Sequence, residues 1–219
     1  MTKTLIDNHY SECMADQYEK ERSKIQKWIF EQDTISMLIR RCVDIHPMLI
    51  KSIMDIPVGT NRFSKLIMET PQIEKAYGVD YSEDMLAIAR KKNADKFEFI
   101  KHNIFSCSLE YTVDIILCIR FLNLFNWEIA NNAIRNISAM ARKYFILSIR
   151  LVCKDYSNSR YIENKIFLHN DFDFYNTLQS LSLSIVSNYT YFSDTKPGTY
   201  NIFLLQKQNG KVDIKLPEY

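Results

Sequence analysis

Residues 76–86 read Ala76-Tyr77-Gly78-Val79-Asp80-Tyr81-Ser82-Glu83-Asp84-Met85-Leu86. A short apolar run rich in strand formers ends on an aspartate. Ser82 then stands before two acids and an apolar pair. A serine that accepts an amide hydrogen, followed by acids near the positive pole of a helix dipole, is how a helix starts. Lys91 and Lys92 close the stretch at the opposite pole. The segment is therefore predicted as strand, acidic tip and helix, in that order.

The same alternation continues on both sides. Upstream, Leu49–Ile56 reads as a strand, Pro57-Val58-Gly59-Thr60-Asn61 as a loop and Arg62–Glu69 as a helix. Downstream, strands are expected at Phe97–Ile100, Val113–Ile119 and Tyr144–Ile149, with helices at Trp127–Ala141 and Asp171–Leu181. Two further strands, Leu183–Phe192 and Tyr200–Gln206, flank a turn that contains Pro197-Gly198, so they form a hairpin and the last strand runs antiparallel. Strands that alternate with amphipathic helices give an α/β fold with a mostly parallel sheet covered on both faces. Seven strands are expected.

Before that core, Thr4–Ile45 is helical by pattern. Tyr18, Ile25, Trp28 and Ile29 recur at helical spacing, then Ile35, Leu38, Ile39 and Cys42 do so until Pro47 breaks the second helix. The expected organisation is a helical N-terminal cap over residues 1–46, part of the same domain, a core over 47–208 and a polar tail over 209–219.

Composition narrows the function. The chain has 219 residues, 47% hydrophobic and 25% charged, enough for one large core and unlike a disordered chain. Its 28 Lys and Arg nearly cancel 26 Asp and Glu, and a formal charge of +2 supplies no field for nucleic acid or an anionic membrane. Five cysteines form no CxxC pair, which argues against a zinc site or a disulfide framework and for a reducing compartment. The N-terminus lacks the apolar core of a secretory leader, and no stretch is apolar enough to span a bilayer, so a cytoplasmic location is expected.

In an open parallel sheet, ligands bind beyond the carboxyl ends of the strands. That rule selects Asp55–Arg62, Asp80, Tyr81, His102–Ile104, Cys118–Phe121 and Arg150. Asp80 follows Gly59 by 21 residues, a spacing that suits an acid accepting from both hydroxyls of a ribose. The loop has one glycine rather than the G-x-G-x-x-G that admits a pyrophosphate, and no Walker lysine follows it. A dinucleotide and a P-loop nucleotide are thereby disfavoured, and an adenosine-type ligand without a diphosphate is favoured.

These residues resemble class I S-adenosylmethionine-dependent methyltransferases. Met54-Asp55-Ile56-Pro57-Val58-Gly59-Thr60-Asn61-Arg62-Phe63 is similar to the family's first loop in its D-x-P-C-G-T-G-R branch, and residues 78–86 match its G-x-D-x-S-x-x-M-L segment. His102-Asn103-Ile104 takes the place of the adenine-contacting element, and Val113–Leu122 resembles the fourth strand with its rim. The resemblance extends from about Ile50 to Gln206 and implies a Rossmann-like fold with S-adenosylmethionine as cofactor.

It further implies that Asp55 and Gly59 border the methionine part, that Pro57, Asn61 and Arg62 of the same loop belong to the cofactor site, and that Asp80 takes the ribose. Tyr81 and Met85 would border the adenine, Asn103 and Ile104 would contact its edge, and Cys118 would lie on the same rim. Tyr18 and Arg22, four apart on one helix face, look like the family's lid. Pro57 and Asn61 depart from the family's glycines, though Asn tolerates positive φ. Arg120 and Arg150 each follow an apolar strand at this rim and suit an anionic acceptor. His9, Tyr10 and His169 are candidates for a general base, with no partner spacing that singles one out.

The activity so implied is methyl transfer to a small polar, anionic acceptor, on oxygen rather than nitrogen, with release of S-adenosylhomocysteine. A partner subunit that binds the cofactor without catalysis, or another reaction on the same cofactor, stays open at this point.

Overall fold

The computed structural model describes residues 26–92, 95–152, 160–161, 166–191 and 198–208. The chain divides into two compact units between Asn103 and Ile104. The fold is mixed α/β, with mostly parallel strands and an antiparallel C-terminal strand.

In the first unit, helix α1 (Gln26–Ile45) is continuous. Glu31, Thr34, Ile35, Leu38, Ile39, Cys42 and Val43 form its buried stripe, at the i, i+3, i+4, i+7 spacing of one helix face. Full burial of Ile35, Leu38 and Ile39 contributes about 1.5–3 kcal/mol each. The expected apolar face includes Ile29, but that side chain is exposed, because the stripe passes through residue 31 instead.

Strand β1 (Ser52–Asp55) is shorter than its apolar run, since Leu49 and Ile50 donate to the His46 carbonyl in a turn that closes α1. The following helix, α2 (Ser64–Met68), is likewise shorter than the expected 62–69. Strand β2 (Lys75–Asp80) pairs in parallel with β1 and with β3 (Phe97–Lys101). Gly78 lies opposite Phe99 in that register, and a Cβ on Gly78 would stand 2.6 Å from the Phe99 ring. The glycine is there because an aromatic ring covers it. Helix α3 (Glu83–Lys91) starts as expected: Ser82 is extended (φ −83, ψ 120), and its side chain accepts from the Met85 amide. Such a cap is worth about 1 kcal/mol.

The second unit begins with β4 (Val113–Cys118), buried along its whole length. Its one acid, Asp114, accepts from Arg142 at 2.9 Å. A 3-10 turn (Leu122–Leu124) precedes α4 (Trp127–Ala139), which Asn126 caps through the Ile129 amide. Strand β5 (Ala141–Val152) is twice the expected length. Ala141 pairs with Val113, so α4 ends before it, and at the far end Leu151 and Val152 pair with a short strand β8 (His169–Asn170).

Strands β6 (Arg160–Tyr161) and β7 (Ile166–Phe167) form a two-residue antiparallel ladder that sequence reading did not anticipate. Asn170 caps α5 (Asp171–Ser180) by accepting from the Phe172 and Asp173 amides. Strands β9 (Leu183–Tyr191) and β10 (Thr199–Lys207) pair antiparallel as expected, and β10 is also antiparallel to β5. No helix among the described residues is long and apolar enough to cross a membrane.

Candidate functional site

The loop after β1 is fastened to the tip of β2. The Val58 amide donates to the Val79 carbonyl at 2.8 Å, and the Gly59 amide donates to Oδ2 of Asp80 at 2.9 Å. The other carboxylate oxygen, Oδ1, accepts from the Ser82 amide at 2.9 Å. Backbone amides thus hold both oxygens of Asp80, and a carboxylate's four lone-pair positions outnumber them. Gly59 has φ +52 with open space where a Cβ would be, so the glycine serves backbone conformation and lets a ligand approach the chain. The Ile56-Pro57 peptide is cis.

Asp55, at the tip of β1, is almost completely buried. Burial pushes its carboxyl well above the usual carboxylate range, Arg62 opposes that shift, and the neighbouring charge of Asp80 adds to it. Asp80 is raised as well, chiefly by burial, with the amides of Ser82, Gly59 and Tyr81 opposing. Two desolvated carboxyl groups thus stand at the tips of adjacent strands, and burial disfavours the charged form of each.

Asn61 has φ +56, and its backbone is fully engaged: the amide donates to Val58, and the carbonyl accepts from the Ser64 amide and hydroxyl. Its side-chain oxygen and nitrogen are buried and meet no partner among the described residues. Arg62 donates to Glu31 of α1 at 2.9 Å and lies 4.4 Å from the centroids of both the Trp28 and the Phe63 rings. Glu31 is fully buried, and sequence reading did not single it out. A signal existed: counting back from Ile35 and Leu38 by four and seven puts a carboxylate inside an apolar stripe.

Among the other expected cofactor contacts in this unit, Tyr81 is half-buried, Met85 is buried beneath the start of α3, and Asn103 is half-buried just past β3. The His102 amide ties that exit to the Asp80 carbonyl. Tyr18, Arg22, His9 and Tyr10 lie outside the described residues.

In the second unit Ile104 is buried, and its carbonyl accepts from Asn136 at 2.6 Å. Cys118 ends β4 fully buried. Arg120 has φ +60 and is half-exposed, and its amide donates to the Ser148 hydroxyl at 2.7 Å. Arg150 is buried instead. Its guanidinium donates to the Gly198 carbonyl at 3.0 Å and lies over the Tyr200 ring. Asn123 clamps the backbone there, accepting from the Arg150 amide at 2.9 Å and donating to the Phe167 carbonyl at 2.8 Å.

His169 is fully enclosed. Its Nε2 lies 3.1 Å from the Leu122 carbonyl, which can only accept, so Nε2 carries the hydrogen. Burial pushes this imidazole down to about 4, and it is neutral at physiological pH. No group of acids, histidines and cysteines among the described residues could hold a metal ion.

Residues 53–144 match a family model described as a methyltransferase domain. No curated protein matches the sequence. Solved structures that share the fold include three methyltransferases. Magnesium protoporphyrin IX methyltransferase from Synechocystis PCC 6803, with SAH bound, is 16% identical with a TM-score of 0.71, covering 94% of this chain and 100% of that chain. A S-adenosylmethionine-dependent methyltransferase from Clostridium acetobutylicum ATCC 824 is 15% identical with a TM-score of 0.66, covering 90% and 98%. The N-methyltransferase NodS from Bradyrhizobium japonicum WM9, in complex with S-adenosyl-l-homocysteine, is 13% identical with a TM-score of 0.62, covering 82% and 88%. Likeness at these identities is likeness of fold.

Proposed function

We propose, from the match of residues 53–144 to a methyltransferase-domain family model, that this chain is a class I S-adenosylmethionine-dependent methyltransferase that moves a methyl group to an oxygen of a small, polar, anionic acceptor and releases S-adenosylhomocysteine. The observation that carries the reading is the carboxylate of Asp80. It is held at a strand tip by the Gly59 and Ser82 amides, with acceptor capacity left on the carboxylate. A vicinal diol presents two donors at that spacing, and the absence of a diphosphate cradle in the loop fits a nucleoside without a diphosphate.

The cofactor supplies an electrophilic methyl on a sulfonium. What the chain supplies is placement. Asp80 takes the ribose, and the open face at Gly59 admits the chain beyond it. Holding donor and acceptor in line is worth up to about 7–11 kcal/mol, so no triad is required.

Oxygen is favoured because an anionic carboxylate or phosphate oxygen attacks without losing a proton first. A base is then unnecessary, in keeping with the enclosure of His169. Arg120 is the better placed of the two arginines to meet such an anion, being half-exposed, while Arg150 is buried with its guanidinium on Gly198. A reducing, cytoplasmic setting suits five cysteines without a paired motif.

The test is calorimetric titration with S-adenosylmethionine and S-adenosylhomocysteine, followed by an acceptor panel of carboxylates, phosphates, phenols and amines scored for S-adenosylhomocysteine by mass spectrometry. Turnover on an anionic oxygen acceptor is the expected result. Failure to bind either nucleoside would remove the reading, and binding without turnover on any acceptor would favour a non-catalytic subunit.

A further inference from the structure

We infer that Glu31 is a positioning residue for the methyl donor: through Arg62 it holds the loop after β1 in the shape that admits the nucleoside, so that its loss weakens donor binding in a protein that is still folded. The inference rests on the reading of this loop as part of an S-adenosylmethionine site.

The loop has a shape that a chain does not adopt readily. Gly59 and Asn61 both stand at positive φ, +52 and +56, with Thr60 between them. Asparagine tolerates that region better than most residues but does not prefer it. The buried carboxamide of Asn61 meets no partner among the described residues, so the side chain does not offset the strain. A conformation of this kind persists where surrounding contacts fix it.

At the front of the loop, the Val58 and Gly59 amides reach the Val79 carbonyl and the Asp80 carboxylate. Asp80 is the group assigned to the ribose, so this tie is part of the ligand site itself. At the back, the Asn61 carbonyl accepts from the Ser64 amide and hydroxyl, and the chain enters α2, a helix of five residues. So short a helix holds little shape by itself.

Arg62 stands at that back end, and Glu31 reaches it from α1. Their closest atoms, Nη2 and Oε2, are 2.9 Å apart, with the Glu31 side chain fully buried and that of Arg62 only 16% exposed. The guanidinium lies 4.4 Å from the centroids of the Trp28 ring, also on α1, and of the Phe63 ring, just before α2. A planar cation that stacks on two rings and pairs with a carboxylate has little freedom to turn. A buried pair is a weak source of net stability, since both groups must be desolvated, and what this one supplies is geometry. A loop already in shape loses little entropy when the ligand arrives, and a loop that samples other shapes binds more weakly in proportion to the fraction that is competent.

Calorimetry on the full chain, with S-adenosylmethionine and with S-adenosylhomocysteine, compares wild type, Glu31→Gln, Arg62→Met and the double variant, at a temperature where circular dichroism shows each to be folded. Glu31→Gln should weaken both ligands about five- to tenfold, because the loop and not the reacting methyl is affected. Arg62→Met should weaken them at least as much. The double variant should bind no more weakly than Arg62→Met alone, since Glu31 acts through Arg62. It also separates placement from stability: removing both charges restores most of the stability, while affinity stays low.

A folded Glu31→Gln variant with wild-type affinity overturns the inference. So does a double variant in which the two losses multiply, or one in which affinity returns together with stability. Should Glu31→Gln not fold, the double variant decides by whether its affinity is that of wild type, and Glu31→Asp, which keeps the charge and shortens the reach, decides by the same criterion if neither folds. A wild-type protein that binds neither nucleoside overturns the methyl-donor reading instead, so the two failures are separable.

Discussion

Glu31 and Arg62, 31 residues apart in sequence, meet at 2.9 Å with the carboxylate fully buried. This contact fastens α1 to the loop after β1 and holds the guanidinium between the Trp28 and Phe63 rings. Removing one partner of a buried pair strands the other charge, which costs about 3–5 kcal/mol, whereas removing both charges together costs far less. Arg62→Met should therefore lower urea stability by about that amount, and Arg62→Met with Glu31→Gln should recover most of it. Losses that simply add in the double variant would mean that the pair carries no coupling.

Asp80→Asn keeps the volume of the side chain but turns one acceptor oxygen into a donor. One of the backbone amides, or one ribose hydroxyl, then loses its partner. Bonds to a charged acceptor are worth about 1.5–3 kcal/mol, so affinity for S-adenosylmethionine should fall roughly ten- to hundredfold. Calorimetry reads this directly, and unchanged affinity would sink the assignment of the ribose to Asp80.

Asn61 offers a contrast of sign. Its φ of +56 costs glycine nothing and strains alanine, and its buried side-chain amide has no partner among the described residues. Asn61→Gly should be neutral or gain about 1 kcal/mol, while Asn61→Ala should lose about 1–2 kcal/mol. Denaturation midpoints rank the two variants, and the reverse ranking would show that the amide carries an essential contact.

Two glycines with positive φ should respond unequally to alanine. At Gly59 a Cβ meets nothing within 4 Å, so Gly59→Ala carries only the backbone penalty of about 1–2 kcal/mol. At Gly198 a Cβ would stand 2.5 Å from the Leu151 carbonyl oxygen on β5, which cannot swing away as a side chain could. Gly198→Ala should be the more destabilising in thermal melts, and it should disturb the Gly198 carbonyl that Arg150 holds.

His169 gives the chain an acid-sensitive element. Its ordinary value of 6.5 is lowered to about 4 by burial in the folded state. The unfolded chain thus takes up the proton first as pH falls. The contribution to stability is complete above about pH 6.5, declines as pH drops toward 4, and amounts to on the order of 3 kcal/mol across that window. His169→Gln should flatten this part of the profile relative to wild type when urea midpoints are compared between pH 4 and 7. An identical slope in both proteins would place the sensitivity elsewhere.

The sequence by itself determined the strand at 76–79, its acidic tip at Asp80, the Ser82 cap and the alternation that makes the fold α/β, because each depends on neighbours within one turn or one strand. The lone glycine of the loop likewise disfavoured a diphosphate ligand from sequence, since the motif that cradles one brings its backbone close through several glycines. Only the tertiary structure decided that β5 extends to twelve residues, that His169 and Asn170 form a strand, and that Glu31 reaches Arg62. Those outcomes depend on partners distant in sequence. A ladder bond or a buried ion pair stabilises a segment only once folding has brought its other half to it, and a single stretch of residues does not show which half will arrive.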